Sequence, residues 1–304
     1  PADRRRLGLR MIYRVSHLTR YSYQRPVSQC HNRAHLLPRD TPRQRCLDTR
    51  IEVRPTPATA AERRDYFGNR MYLFAVEVPH RELEVRVVSR VEVDEGGDAP
   101  ALDFGITCAE ARRQLGAEAL EQHLLARELL LDSPMIRASA KLRDYAAPSF
   151  ADTRPLLAAV RELTGRIFRD FAYDPDFTNI ATPLEEVLDN RRGVCQDFAH
   201  LAIGCLRALG FAARYVSGYV ETQPAPGQVR LVGADASHAW FAVYVPGDGW
   251  IDFDPTNDNM PGARHITTAW GRDYSDVTPL RGVIFDGGES PEMTVGVDVE
   301  RLPD

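Results

Sequence analysis

The first third of the chain alternates apolar and charged side chains with a period of two. The pattern is clearest at residues 13–21, 48–53, 70–76 and 83–93, where β-branched and aromatic residues are interleaved with arginine and glutamate. Such alternation is typical of half-exposed antiparallel strands, and the proline- and glycine-containing segments between the stretches indicate turns. The pattern therefore predicts a small antiparallel β-sandwich over residues 11–95.

The pattern changes after residues 95–100, which contain two adjacent glycines and a proline. Residues 109–131, 133–145 and 154–170 are rich in alanine, leucine, glutamate and arginine with helical spacing, and a shorter helix is predicted over residues 182–188. The glycine-containing break is therefore the best candidate for a domain boundary.

A further helix with one apolar face is predicted from Cys195 onward, and Gly210 ends it. The strands predicted after this helix are residues 213–220, 239–245 and 250–254, with one or two more between residues 283 and 301. Helices packed on an antiparallel sheet make an α+β core, which we assign to residues 101–304 with these C-terminal strands included.

The composition of the 304 residues, with 43% hydrophobic and 27% charged, indicates a soluble globular protein with a sizeable core. The sequence contains neither a long apolar run that would span a membrane nor an apolar stretch behind its arginine-rich start. Residues 1–10 are set aside as an upstream extension or an expression remnant. We expect a cytoplasmic protein with no membrane partner.

Five cysteines lie at irregular spacings without a CxxC pair, which favours reduced thiols over a zinc or dithiol site. The net charge of -5 hides an excess of arginine within residues 1–54. This segment could bind an anionic partner or form a solvated face. Because its arginines are interleaved with strand residues, the solvated face is favoured and no nucleic-acid partner is expected.

Cys195 is the first candidate for chemistry, because the helical pattern places it in the first turn. Gly193 permits a sharp turn just before it, and the unpaired N–H groups and dipole of a helix start favour an anion. A thiolate is easier to form in such a place. Cysteine is also among the most commonly buried residues, so simple packing is the alternative.

His238 and Asp254 are the candidate partners of this cysteine. One lies at the start of a predicted strand and the other at the end of the next, so a hairpin could place them side by side. Together with Cys195 they supply the nucleophile, base and orienting carboxylate of thiol acyl chemistry. Alternatively, His238 is a buried histidine beside Trp240, and Asp254 is a turn residue before Pro255.

Three segments carry a resemblance to a known family. Residues 193–200, 236–240 and 249–257 closely resemble, in order and spacing, the cysteine, histidine and aspartate motifs of the transglutaminase-like superfamily, which is related to the papain-like cysteine proteases. The segment from Tyr13 through the strands to Val93 resembles the β-domain that precedes the core in bacterial transglutaminase-like proteins. The motifs in residues 270–282 extend the resemblance over nearly all of residues 11–303.

The resemblance implies that Cys195 is the nucleophile, His238 the general base and acid, and Asp254 the orienting carboxylate. The family's oxyanion donors are the nucleophile's own N–H and a second group, for which Tyr173 is the candidate; the alternative is an aromatic ring that fills the helix–sheet seam. Asp252, where relatives often carry glycine, is expected to point to the opposite sheet face from Asp254 and not to touch His238.

The activity implied is acyl transfer or hydrolysis on amide or peptide substrates of the glutamine or γ-glutamyl type, through a cysteine thioester. Hydrolysis by a peptidase or amidase is favoured, and a crosslinking γ-glutamyltransferase is the first alternative. A non-catalytic binding protein that uses the β-sandwich is the second. No cofactor or metal is expected, since the oxygen-rich cluster from Asp252 to Asn259 lacks the glycine and glutamate of a calcium loop.

Overall fold

The computed structural model describes residues 10–94, 101–117, 120–177, 182–222, 237–288 and 291–303. The sequence predictions of an extension over residues 1–10 and of a boundary at residues 95–100 fall almost entirely outside these ranges. The helices are α1 (Cys108–Ala117), α2 (Glu121–Glu128), α3 (Ala140–Ala146), α4 (Leu156–Asp170), α5 (Leu184–Asn190), α6 (Cys195–Ala208) and α7 (Tyr274–Val277). No helix in the described part of the chain is both long and apolar enough to cross a membrane.

Within the described ranges the strands form three sheets, of which the two large ones are antiparallel, and together with the helices they confirm the α+β class. The strands are β1 (Arg10–Ala34), β2 (Gln44–Arg54), β3 (Thr59–Arg64), β4 (Arg70–Val76), β5 (His80–Asp94), β6 (Ala172–Tyr173), β7 (Arg192–Gly193), β8 (Ala213–Val220), β9 (Ser237–Val245), β10 (Gly249–Phe253), β11 (His265–Gly271), β12 (Leu280–Asp286) and β13 (Glu292–Leu302).

The amino-terminal strands form one antiparallel sheet of order β2-β5-β1-β4-β3, organised around the 25-residue strand β1. The first part of β1 pairs with β5 and β13, and its second part pairs with β4 and β12. Both parts of the sheet contribute to one core, in which Val27 of β1 packs with Phe74 of β4 and Val85 of β5. This shared core is the sandwich-like packing that the alternating pattern predicts.

The two last strands lie in a different sheet from the one expected. The sequence assigned them to the catalytic core, whereas β12 and β13 pair with β1 of the amino-terminal sheet. The alternation of apolar and polar residues identifies a strand but not its partner. The partner of β12 and β13 was set by the long strand β1, which had hydrogen-bonding positions available to both of them.

The core sheet has the order β10-β9-β8-β11, and helix α6 lies against its middle strands. Phe198, Leu201 and Leu206 of α6 share a core with Phe241 and Val243 of β9. The opposite face of this sheet meets the amino-terminal unit, where the Arg39 guanidinium lies over the Trp270 ring with its carbon 3.1 Å from the ring centroid. At the edge strand β11, Gln44 donates to the Thr267 carbonyl at 2.8 Å and Asn69 donates to the Trp270 carbonyl at 2.7 Å. The sheet is therefore covered on both faces.

Candidate active site

Cys195 is the first residue of α6, as the sequence predicts. The helix start is held by Asp197, whose carboxylate accepts from the Val194 backbone N–H at 2.8 Å. A Cβ at position 193 would lie 2.8 Å from Asp197 Oδ2 and 2.9 Å from Asp197 Cβ. Gly193 is thus needed for this close approach, in addition to the turn that the sequence suggests. The result is a partly buried thiol fixed at a helix amino terminus.

His238 lies in β9 at the end of the sheet where α6 begins. It pairs with Gly218 of β8, and the Trp240 ring, two residues on, covers the same glycine: a Cβ at position 218 would lie 2.6 Å from that ring. The small residue lets the indole lie flat on the sheet beside the imidazole, with 6.1 Å between the ring centroids. The backbone and Trp240 together restrict where the His238 ring can lie.

The structure brings Cys195, His238 and Asp254 together. His238 Nε2 donates to Asp254 Oδ2 at 2.7 Å, and the His238 ring also hydrogen-bonds the Cys195 thiol. Burial by itself lowers the pKa of His238, but the hydrogen bonds to Asp254 and Cys195 outweigh it and raise the pKa to about 10. A protonated imidazole between a thiol and a carboxylate favours the thiolate.

Asp254 is fully buried and accepts more hydrogen bonds than a triad requires. Its Oδ2 accepts from His238, from Asn257 Nδ2 at 2.7 Å and from His265 Nε2 at 3.2 Å, and its Oδ1 accepts from the backbone of Thr256 at 2.9 Å. Burial tends to raise the pKa of Asp254, but these donors hold it well below the usual range. The carboxylate therefore stays charged and held in one orientation.

His265 is the residue of this site that sequence reasoning missed. It begins β11, on the far edge of the core sheet, and its Nδ1 accepts from the Gly262 N–H at 3.4 Å, which leaves the proton on the Nε2 that faces Asp254. No spacing rule connects a histidine at this distance along the chain with the motifs around it. A contact across the sheet was needed to find it.

Tyr173 lies beside the candidate nucleophile, since it pairs with Gly193 and its ring is 6.4 Å from that of Phe198. Burial raises the pKa of Tyr173, and the charges of Cys195 and Asp197 add to the rise. The side chain is 58% exposed, so it does not fill a buried helix–sheet seam. Its role as an oxyanion donor stays a prediction.

The expectation that Asp252 points to the opposite sheet face from Asp254 is wrong. Residues two apart on a strand share a face, and Asp252 borders the same cavity as His265, the residue that contacts Asp254. Burial raises the pKa of Asp252, while the positive charge of Arg214 acts against that rise. Asp252 thus belongs to the sheet face that carries Asp254.

The oxygen-rich cluster that suggested calcium is used for other contacts. Both carboxylate oxygens of Asp254 already accept hydrogen bonds from protein donors. Asp258 forms an ion pair with Arg161. In the described part of the chain, His238, Asp254 and His265 bring three possible ligand atoms within 4.8 Å of one another. The same atoms already share protons, so a metal there would replace the hydrogen bonds of the candidate triad. The absence of a metal requirement stays a prediction.

Several other histidines and cysteines of the described chain are held in structural contacts. On α6, His200 is buried, its Nε2 accepts from the Tyr274 N–H at 3.1 Å, and burial lowers its pKa to about 4. Cys205 on the same helix is buried, which raises its pKa to about 12. His17 in the amino-terminal sheet lies between Thr19 and Tyr219. These residues contribute to packing.

Comparison with known proteins gives the same assignment over most of the chain. Residues 13–92 match the bacterial transglutaminase-like N-terminal region, and residues 143–255 match the transglutaminase-like superfamily. An uncharacterized protein of Mycobacterium bovis is 43% identical over 296 residues, which cover 94% of this chain and 92% of that protein. An uncharacterized protein of Mycobacterium leprae is 33% identical over 293 residues, which cover 95% of this chain and 98% of that protein.

One further relative and one solved structure have names that refer to an activity. A protein-glutamine gamma-glutamyltransferase of Pseudomonas aeruginosa is 33% identical over 133 residues, which are 42% of this chain and 19% of that protein. A candidate cysteine protease of Cytophaga hutchinsonii has a similar fold, with a TM-score of 0.73 over 98% of this chain and 92% of that chain at 22% identity. The cysteine, histidine and aspartate motifs, the fold and these matches agree: the chain belongs to the transglutaminase-like superfamily.

Proposed function

We propose that the protein is a thiol-dependent hydrolase of amide or peptide bonds, with Cys195 as nucleophile, His238 as general base and acid, and Asp254 as the orienting carboxylate. The observation that carries the proposal is the chain of contacts from the Cys195 thiol through His238 to Asp254 Oδ2 at 2.7 Å. Glutamine and γ-glutamyl amides are the proposed substrates, in a peptide or a protein.

In the proposed reaction the Cys195 thiolate attacks the amide carbonyl carbon, and the carbonyl oxygen becomes an oxyanion that the Cys195 backbone N–H can stabilise. His238 then gives its proton to the leaving nitrogen as the C–N bond breaks, and an acyl thioester remains. Neutral His238 next takes a proton from water, whose oxygen attacks the thioester. The acid product leaves and the thiolate returns beside protonated His238.

Hydrolysis is favoured because Cys195 is only partly buried, so water can reach a thioester formed there. The alternative is transfer of the acyl group to an amine, which would crosslink proteins. It is supported by the name of the Pseudomonas aeruginosa relative, which matches over less than half of this chain.

The test is a screen of glutamine-containing and γ-glutamyl peptides for ammonia release, with and without a fluorescent primary amine. Release without the amine supports hydrolysis, whereas release that needs the amine and incorporates it supports crosslinking. Single-turnover mass spectrometry should show an acyl adduct on Cys195 that is absent in Cys195→Ala and present in Cys46→Ala. If neither activity nor adduct is found, the chain is a binding protein that uses its amino-terminal sheet.

We also propose a cytoplasmic location, which is supported by five free cysteines, three of them buried. Cell fractionation of the producing organism tests this proposal, and recovery of the protein outside the cytoplasm would contradict it.

A further inference from the structure

The cavity that Asp252 and His265 border lies on the face of the core sheet opposite to helix α6. Its volume is about 550 Å³, which is within the range of small-molecule sites. The floor is the sheet, one wall is the segment Pro261–Gly262 with His265, and the roof is Thr41–Gln44 of the amino-terminal unit. Cys195, His238 and Asp254 are not among its lining residues, and the cavity adjoins the candidate active site only through His265.

All three tryptophans of the protein, Trp240, Trp250 and Trp270, line this cavity. Each comes from a different strand, namely β9, β10 and β11. Aromatic rings on several sides of a cavity can enclose the apolar part of a small ligand at low entropic cost. Their fluorescence also makes occupancy of the cavity directly measurable.

A positive group lies at one side of the cavity. The Arg214 guanidinium stacks on the rings of Trp270 and Trp250, with its carbon 3.7 Å and 4.4 Å from their centroids. Burial lowers the pKa of Arg214 to about 9, so it remains charged at neutral pH. Among the residues that the structure describes, its buried Nε has no hydrogen-bond partner. A ligand acceptor would supply the missing bond.

A negative group lies at the other side. Arg214 pairs with Ala242 in β9, and Ala242 pairs in turn with Asp252 in β10, so the two charged residues flank a small one on one sheet face. Two strand spacings separate their backbones by roughly 10 Å. Within the described ranges no N–O contact of 4.0 Å or less joins Arg214 to Asp252. The space over Ala242 is therefore flanked on the sheet by two opposite charges that interact without forming an ion pair, and Arg43 of the roof adds a further positive charge near Asp252.

We propose that this cavity binds a small zwitterion of the α-amino acid type, with its carboxylate at Arg214, its ammonium group at Asp252 and its apolar part among the tryptophans. The two charges on the sheet match the two charges of such a ligand in sign, and each would gain a charge-assisted hydrogen bond. The proposal concerns binding alone and does not rest on the proposed hydrolase activity.

The test is a titration of intrinsic tryptophan fluorescence with three probes of one carbon skeleton: L-leucine, isocaproate, which lacks the ammonium group, and isoamylamine, which lacks the carboxylate. None of the three contains an amide that the proposed hydrolase could cleave. L-leucine should give a saturable change, and the two single-charge probes should bind roughly tenfold more weakly or worse, because each leaves one buried charge unpaired. No saturable change with L-leucine, or equal affinity for all three probes, overturns the proposal.

Variants locate the site. Asp252→Asn keeps the shape of the side chain and should lower the affinity for L-leucine to the affinity that the wild-type protein has for isocaproate. Arg214→Gln should lower the affinity for L-leucine to the wild-type affinity for isoamylamine. Glu128→Gln is the matched control, because Glu128 borders a neighbouring cavity that shares Arg214, Trp250 and Trp270 but not Asp252. Circular dichroism confirms that each variant is folded. Loss of binding in Glu128→Gln with full binding in Asp252→Asn would place the ligand in the neighbouring cavity and overturn the assignment.

Discussion

His265 donates a hydrogen bond from Nε2 to the Oδ2 atom of Asp254 at 3.2 Å, the same oxygen that accepts from His238 at 2.7 Å. The Asp254 carboxylate is thus held between two imidazole rings from different strands. A carboxylate that orients a catalytic histidine must itself be fixed, and His265 supplies part of that restraint.

Replacement of His265 should lower kcat with little change in KM, because His265 contacts Asp254 and lies behind the histidine that would meet the substrate. We expect about a tenfold loss for His265→Ala, the value of one hydrogen bond to a charged group. His265→Gln should restore most of the rate, since its amide nitrogen reaches the position of Nε2. His265→Asn, whose amide is too short, should not. Equal rates in the Gln and Asn variants would argue against this hydrogen bond.

Asp254→Asn should move the alkaline limb of the pH profile to lower pH. The thiolate–imidazolium pair exists only while His238 is protonated, so the wild-type limb lies near its raised pKa of about 10. A neutral amide no longer stabilises the imidazolium, and the pKa of His238 then falls. The rate constant should also fall by about 10³–10⁴-fold, as when a triad aspartate is made neutral. Measurement of kcat/KM between neutral and alkaline pH tests the shift, and an unmoved limb would contradict the role of Asp254.

Iodoacetamide at neutral pH should modify Cys195 much faster than Cys46. Both thiols are partly buried, but only Cys195 hydrogen-bonds an imidazole that favours the thiolate. Peptide mass mapping over time measures the two rates in one sample. His238→Ala should bring the Cys195 rate down toward that of Cys46, and similar rates in the wild-type protein would point to a catalytically inactive core.

Gly193→Ala should destabilise the protein by about 1–3 kcal/mol, because the new methyl group would displace Asp197 from the Val194 N–H. Urea unfolding measures the loss. Gly116→Ala is the matched control, since a Cβ there meets nothing within 4 Å in helix α1; it should be neutral or stabilising. In an Asp197→Gly background, which lacks both the carboxylate and the Cβ that the new methyl group would meet, the cost of Gly193→Ala should largely disappear. An unchanged cost would show that the destabilisation has another source.

The amino-acid sequence was sufficient for the local parts of this structure. The helical recurrence behind Cys195 predicted α6 and its start, and the two strands around the tight turn at residues 246–249 predicted the β9–β10 hairpin that carries His238. Such features depend on contacts between residues close in the chain, which periodicity and turn residues record directly. Three ordered motifs then brought Cys195, His238 and Asp254 into one hypothesis.

The remaining features depended on which strands pair and how the segments between them pack, which periodicity does not encode. That β12 and β13 join β1, that His265 reaches Asp254 from the far edge of the sheet, and that Arg214 and Asp252 flank one cavity all follow from strand order. The sequence by itself determined most of the longer helices and strands and the helix start that carries the candidate nucleophile, but not β3 or the strand β11 that carries His265. The tertiary structure alone decided which residues surround Asp254, because strand partners are chosen by the packing of the whole chain.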